Sequence, residues 1–310
     1  MRSVGAAKFK IRLLLVVCAY LLVTAGQWLQ GDLHDRMDAA FVDRLAAMDP
    51  GTGGDAPARR GSGAGDTDPI VYIDANFYYD RSYHARVIQN LAALGTASQF
   101  VDFVFSENLG DENDRQFVEA VAAAGNVYFG ISFETLGHPA GEIRDEASRS
   151  AVDYMDRTKW WVDFASPPDD FYVGRNSRMT ASRLAAVSRG GGFLNLPADA
   201  DGVLRSVPLL VRYRGALYPS LSLLAACDSL GVSPDRIRVA PGEAVILKGA
   251  GTPSGSPSPD IVIPIDACGR MLINFNAVQP PIRHYSYRDI FGAFEDPDAA
   301  RRLKQELSGK

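Results

Sequence analysis

Seventeen consecutive uncharged residues, Leu13–Leu29 (LLLVVCAYLLVTAGQWL), constrain this chain more than any other feature in it. As a helix they span about 25 Å, close to the roughly 30 Å of a bilayer's hydrocarbon core. Lys10 and Arg12 can snorkel at one end, and Trp28 suits the interface at the other. Residues 1–12 hold Arg2, Lys8, Lys10 and Arg12 and no acid, so they carry +4 and the rest of the chain carries −9, for a net charge of −5. The positive-inside rule then puts residues 1–12 in the cytoplasm, residues 13–29 across the inner membrane, and the bulk of the chain in the periplasm or outside the cell. The same stretch also reads as a secretory leader, with Val23-Thr24-Ala25 as a small-residue cleavage site. Both readings export the chain beyond this segment.

Hydrophobic residues at 46% and charged residues at 22% of 310 describe a folded chain, not a disordered one. The acidic balance argues against a nucleic-acid partner, which requires a basic surface. Three cysteines with no CxxC exclude a thiolate zinc site and a disulfide-dense scaffold. Cys18 lies in the apolar run. Cys227 and Cys268 either pair in an oxidising compartment or stay as free thiols, and the sequence leaves both open.

Residues 30–48 form a stalk helix, with Leu33, Met37, Phe41 and Leu45 on one stripe. The stripe packs on the adjoining domain or on a second copy of itself, which makes a homodimer through the stalk one expectation. Residues 49–69 are a Gly- and Pro-rich flexible linker. From residue 70 the pattern alternates: strand 69–74, helix 81–95, strand 97–106, helix 112–125, strand 126–134. That order predicts parallel strands with right-handed crossovers. Aromatic residues crowd 151–173, and a helix is predicted at 179–190. Two strands are predicted in 191–219, around a loop at 197–202 and with a turn near Arg214-Gly215. A helix at 220–231 is capped by Ser220. Residues 237–249 and 260–277 read as two antiparallel hairpins, and a charged helix ends the chain. The fold class is α/β: a membrane helix, then an exported three-layer-like domain with a mainly parallel central sheet and antiparallel hairpins in its second half.

Catalytic signatures are missing. The chain has no GxGxxG, GxxxxGK[ST], HExxH or GxSxG, and its four histidines (His34, His84, His138, His284) show no metal-ligand spacing. No cofactor is expected. Arg189–Phe193 (RGGGF) reads as a turn more readily than as a phosphate loop, and Asp199–Gly202 (DADG) lacks the closing glutamate of a calcium loop. Asp74 and Asp102 each fall near the carboxyl end of a predicted parallel strand, the edge where open α/β sheets bind ligands. Both could equally cap the adjacent turns. Arg205, four residues after Asp201, has the reach to pair with Asp199 or Asp201.

Ordered motifs carry a family resemblance. They are Ile73-Asp74 with Arg81…His84-Ala85-Arg86, then Asp102-Phe103-Val104-Phe105-Ser106-Glu107. Next come Gly192-Phe193-Leu194-Asn195…Asp199-Ala200-Asp201-Gly202…Arg205…Pro208-Leu209, Tyr218-Pro219-Ser220-Leu221, Ile273-Asn274-Phe275, and Ser286…Asp289. From about Leu33 onward the chain resembles the type-two CHASE domain, the cyclase- and histidine-kinase-associated sensory extracellular domain. It departs from the family at Asn76–Asp80, where a Trp/Pro-rich turn is usual, and in the inserts at 49–69 and 249–260.

The resemblance makes residues 70–310 an extracytoplasmic sensory domain, truncated at its C-terminus. The full receptor would carry further membrane helices and a nucleotide cyclase or kinase output, none of which lies in these residues. It implies a small-molecule or protein ligand and a candidate binding set of Asp74, Arg81, His84, Asp102, Ser106, Asn195, Asp199, Asp201 and Arg205. Catalysis is not expected in this chain. Competing readings are an envelope structural or protein-interaction module, and an exported hydrolase using Asp74, Asp102 and Asp201.

Overall fold

In the computed structural model the described residues are 70–137, 169–199, 201–250, 259–275 and 282–310. The expected membrane helix, stalk and linker, and the aromatic segment up to residue 168, lie outside them. No described helix is long and apolar enough to cross a membrane. The described residues fall into two units. The larger holds 70–137, 169–197, 206–250, 259–273 and 282–310; the smaller contains 198–199, 201–205 and 274–275.

Local chemistry fixes the first elements of the larger unit. Strand β1 (Val71–Asp74) leads to Asp80, whose carboxylate accepts the Tyr83 N–H and caps helix α1 (Arg81–Leu94). Gly95, at φ 88°, ends that helix in the left-handed region glycine tolerates best. Strand β2 (Gln99–Val101) is shorter than the sequence pattern suggested. Asp111 caps α2 (Glu112–Ala124) in the same way as Asp80, and β3 (Val127–Gly137) comes next. Then come β4 (Val173–Arg178), α3 (Ser182–Val187), β5 (Gly190–Phe193), β6 (Ser206–Pro208), β7 (Leu210–Tyr213) and β8 (Ala216–Pro219). Helix α4 (Leu221–Ser229) starts at its Ser220 cap, whose Oγ accepts the Leu223 N–H. The remainder is β9 (Ile237–Ala240), β10 (Ala244–Leu247), β11 (Ile261–Pro264), β12 (Arg270–Leu272), β13 (Arg283–Ser286), α5 (Tyr287–Phe291) and α6 (Pro297–Leu307).

The expected mainly parallel sheet is a mixed one, because β3 is eleven residues long and does two jobs. Its first half lies parallel between β2 and β5, and its second half runs antiparallel to β4. Strands β7 and β8 extend the sheet as an antiparallel pair. Strand β1 does not join β2; it pairs in parallel with β13, about two hundred residues later. The 237–249 hairpin forms as expected from β9 and β10. The 260–277 hairpin does not form: β11 adds to β10, and β12 pairs with β6. The RGGGF turn is instead the buried strand β5. A Cβ at Gly192 would sit 2.6 Å from the Leu221 backbone, so glycine here lets β5 pass against the start of α4.

Four apolar clusters hold the unit together. Helix α1 serves two of them. Ala85 and Ile88 pack with Phe117, Val121, Phe129 and Leu184, whereas Val87, Leu91 and Leu94 pack with Tyr287, Ile290, Leu303 and Leu307. A third cluster fills the space among β3, β5, β7 and β8 around Phe133, Phe193 and Tyr213. The fourth joins α4 to β9 and β10 through Leu223, Cys227, Val245 and Leu247.

Candidate functional site

Five sequence-selected residues lie at the carboxyl end of β1, in the first turn of α1 and in the loop after β2. Asp74 closes β1 with its carboxylate 2.8 Å from Nδ1 of His284, whose ring stacks on Tyr72. Asp102 is exposed, yet neighbouring chain partly desolvates its carboxyl group and raises its pKa above the ordinary aspartate value. Ser106 is exposed, and so are Phe77, Tyr78 and Phe103 on the same loops.

Arg81 and His84 point inward. Arg81 makes a buried ion pair with Asp114 of α2, donates to the Glu107 carbonyl, and lies 5.8 Å from the Phe105 ring centre. His84 sits among Phe105, Phe117 and Tyr287 with Nδ1 2.5 Å from the Tyr287 hydroxyl. Burial lowers its pKa to about 4, so the ring is neutral at physiological pH. Burial raises the Tyr287 phenol in turn, so it also stays neutral at this contact. These two side chains tie α1 to α2 and α5.

Asn195 behaves as an extra rung of sheet. Its Oδ1 accepts the Phe133 N–H and its Nδ2 donates to the Phe133 carbonyl, both at 2.7 Å, just past the point where β5 leaves β3. In the smaller unit, Arg205 Nη1 lies 3.2 Å from Asp199 and 2.9 Å from Asp201. Asp201 also accepts the Val203 N–H, and Gly202 turns the loop at φ 83°. The hydrogen bond from Arg205 is the main cause that holds the Asp201 pKa below its usual value. Both carboxylates therefore turn onto Arg205, the pairing its spacing suggested.

Sequence reasoning missed a solvent-open cavity of about 410 Å³ in the larger unit, lined in part by Tyr128, Arg189, Leu224, Cys227, Asp228 and Val232. Asp228 organises it. One carboxylate gathers the Ser98 hydroxyl, the Tyr128 hydroxyl at 2.7 Å and the Arg189 guanidinium at 2.9 Å. These donors stand at the amino ends of β2, β3 and β5, opposite the edge expected to bind. No short motif could have revealed this. Asp228 reads as one acid in an apolar helix, and its partners lie some forty to one hundred and thirty residues away. Burial, then Asp228, pushes the Cys227 thiol up to about 12, which leaves it unreactive. Cys227 and Cys268 are unpaired.

Among the described residues no three His, Cys, Asp or Glu side chains assemble into a metal site. The arrangement is thus a mixed α/β domain with a polar-rimmed cavity at the amino edge of the sheet and a separate exposed carboxyl-edge patch. Residues 15–310 match the family model of the CHASE2 domain, and the chain belongs to that extracytoplasmic sensory family. Comparisons with curated proteins and with solved structures gave no match.

Proposed function

We propose that this chain is the ligand-sensing, exported part of a membrane-anchored receptor whose output is a cytoplasmic cyclase or kinase. One observation carries the reading beyond family membership. Strand β1 and helices α5 and α6 belong to one cluster: Val71 and Ile73 of β1 pack with Leu303 and Leu307 of α6 and with Ile290 of α5. Asn90 of α1 donates to the Ile290 and Phe291 carbonyls at 2.8 and 2.9 Å, satisfying the free end of α5. A ligand that shifts α1 therefore moves β1, α5 and α6 together, the kind of coupled displacement that transmission to a membrane helix requires. In this proposal Arg81, His84 and Asn195 are structural links. Asp74, Asp102 and Ser106, with the Asp199–Asp201–Arg205 loop, remain candidates for ligand contact. The membrane is a partner through residues 13–29, and the stalk stripe offers a route to a homodimer.

Two measurements test the reading. A reporter active only outside the cytoplasm, fused after Gly231, should be active; inactivity there removes the exported topology. A thermal-shift titration against a metabolite library should reveal a stabilising ligand. At 100 times its dissociation constant such a ligand adds about 2.7 kcal/mol, or about 5–11 °C for a domain of this size. If no library member shifts the melt or changes the receptor's output, the chain is not a small-molecule sensor.

A further inference from the structure

Resting on that sensory reading, we infer that the cavity at the amino edge of the sheet binds a small organic carboxylate with an apolar body. Its volume of about 410 Å³ lies within the roughly 300–1,000 Å³ typical of small-molecule sites. The charge distribution selects the ligand class. Asp228 is largely buried, at 14% side-chain exposure, and is already committed. Its Oδ1 receives Tyr128 and Arg189, and its Oδ2 receives Ser98. Little acceptor capacity is left for an amine.

Arg189 is the opposite case. It is 47% exposed, reaches Asp228 through Nη2 alone, and rests over the Tyr128 ring at 5.5 Å. Its Nε and Nη1 meet no other acceptor among the described residues. A guanidinium held by one corner on a residue that lines the cavity is a ready fork for a carboxylate. Leu224, Val232 and Pro234 supply apolar wall for the rest of the ligand.

The site also adjoins the segment that follows α6. Ser98, whose hydroxyl binds Asp228, donates its N–H to the Lys310 carbonyl at 3.2 Å, and the Ala97 N–H reaches the same oxygen at 2.5 Å. A ligand on Arg189 thus acts on a carboxylate whose partner Ser98 also holds the segment after α6.

The test uses benzoate and 4-methylpentanoate as probes, with benzamide, 4-methylpentanamide and benzylamine as controls, titrated calorimetrically into the whole chain. The carboxylates should bind at least tenfold more tightly than their amides. Arg189→Gln should bring them down to the amide level, and Leu224→Trp, which fills the cavity without touching charge, should block both. Equal binding of acids and amides, tighter binding of benzylamine, unchanged acid binding in Arg189→Gln, or no acid binding at millimolar concentration each overturns the inference. The two levels separate in the receptor. A library ligand whose response survives Arg189→Gln and Leu224→Trp removes this site and leaves the sensory reading standing, whereas no library response in the wild type removes the sensory reading itself.

Discussion

Replacing Asp114 by alanine tests whether Arg81 is a ligand group or a strut. In the folded chain both partners of the pair are almost wholly enclosed, at 9% and 1% side-chain exposure. Asp114 also accepts the Gly110 N–H at 3.2 Å. Removing the acid leaves a guanidinium without its counter-charge in a site formed by Phe105 and the Glu107 carbonyl. Breaking one side of a buried pair costs about 3–5 kcal/mol. For a domain of 150–250 residues, each kcal/mol moves the melting point by about 2–4 °C, so Asp114→Ala should melt about 6–20 °C lower. Replacing both partners with apolar residues, Arg81→Met with Asp114→Leu, should recover most of that loss, because no charge is then stranded. The unrecovered part is the hydrogen bonds to the Gly110 N–H and the Glu107 carbonyl, about 1 kcal/mol each. Urea unfolding of the wild type, the singles and the double gives the full cycle. If Asp114→Ala melts like the wild type while Arg81→Gln folds normally and loses ligand response, Arg81 faces ligand and the strut argument fails.

Single contacts give further expected outcomes. The His84 pKa is about 4 in the fold against 6.5 unfolded, so its contribution is whole above pH 6.5 and shrinks as pH falls toward 4, by about 3 kcal/mol in all. His84→Phe should therefore flatten the acid limb of stability measured by urea unfolding, and an unchanged slope would refute the burial argument. Gly192→Ala drives a methyl group into the Leu221 backbone and should lower stability by about 1–3 kcal/mol; a neutral effect would deny the close approach. In Arg205→Ala the Asp201 carboxyl should titrate nearer the ordinary aspartate value by NMR, since the arginine's hydrogen bond is the main cause of its lowering, and no movement would refute the pairing.

Legibility in the sequence tracks the range of each interaction. The spans of α1 and α2 were legible because Asp80, Gly95, Asp111 and Gly125 announce them within four residues. So was the Arg205 pairing, a contact four residues apart. Strand pairing was not. The partnership of β1 with β13 and of β12 with β6 depends on which edges remain open once the helices pack, and no local pattern encodes that. The site divides along the same line. Motif positions such as His84 and Asn195 were found, but their solvent exposure was not, and both proved to be bonded within the fold. The Asp228 cluster escaped notice because its four members come from four separate stretches of the chain.

Helix α1 joins these observations into one mechanical argument. A helix that buried a single face would let the elements on its far side move independently. This one is buried on two faces, against α2 and β3 through Ala85 and Ile88, and against α5 and α6 through Val87, Leu91 and Leu94. Polar contacts fix the register of the second face: His84 with Tyr287, and Asn90 with the last carbonyls of α5. Close-packed interiors transmit displacement because they have little free volume to absorb it. A shift of α1 by a fraction of an ångström therefore has no soft layer in which to dissipate before it reaches α5. The carboxyl-edge loops adjoin the start of α1 through Arg81 and the Glu107 carbonyl, and Gln99 of β2 donates to the Ile88 carbonyl at 3.2 Å. Within the larger unit, the carboxyl-edge loops and the amino end of β2 thus both reach α5 and α6 through the same fourteen-residue rod.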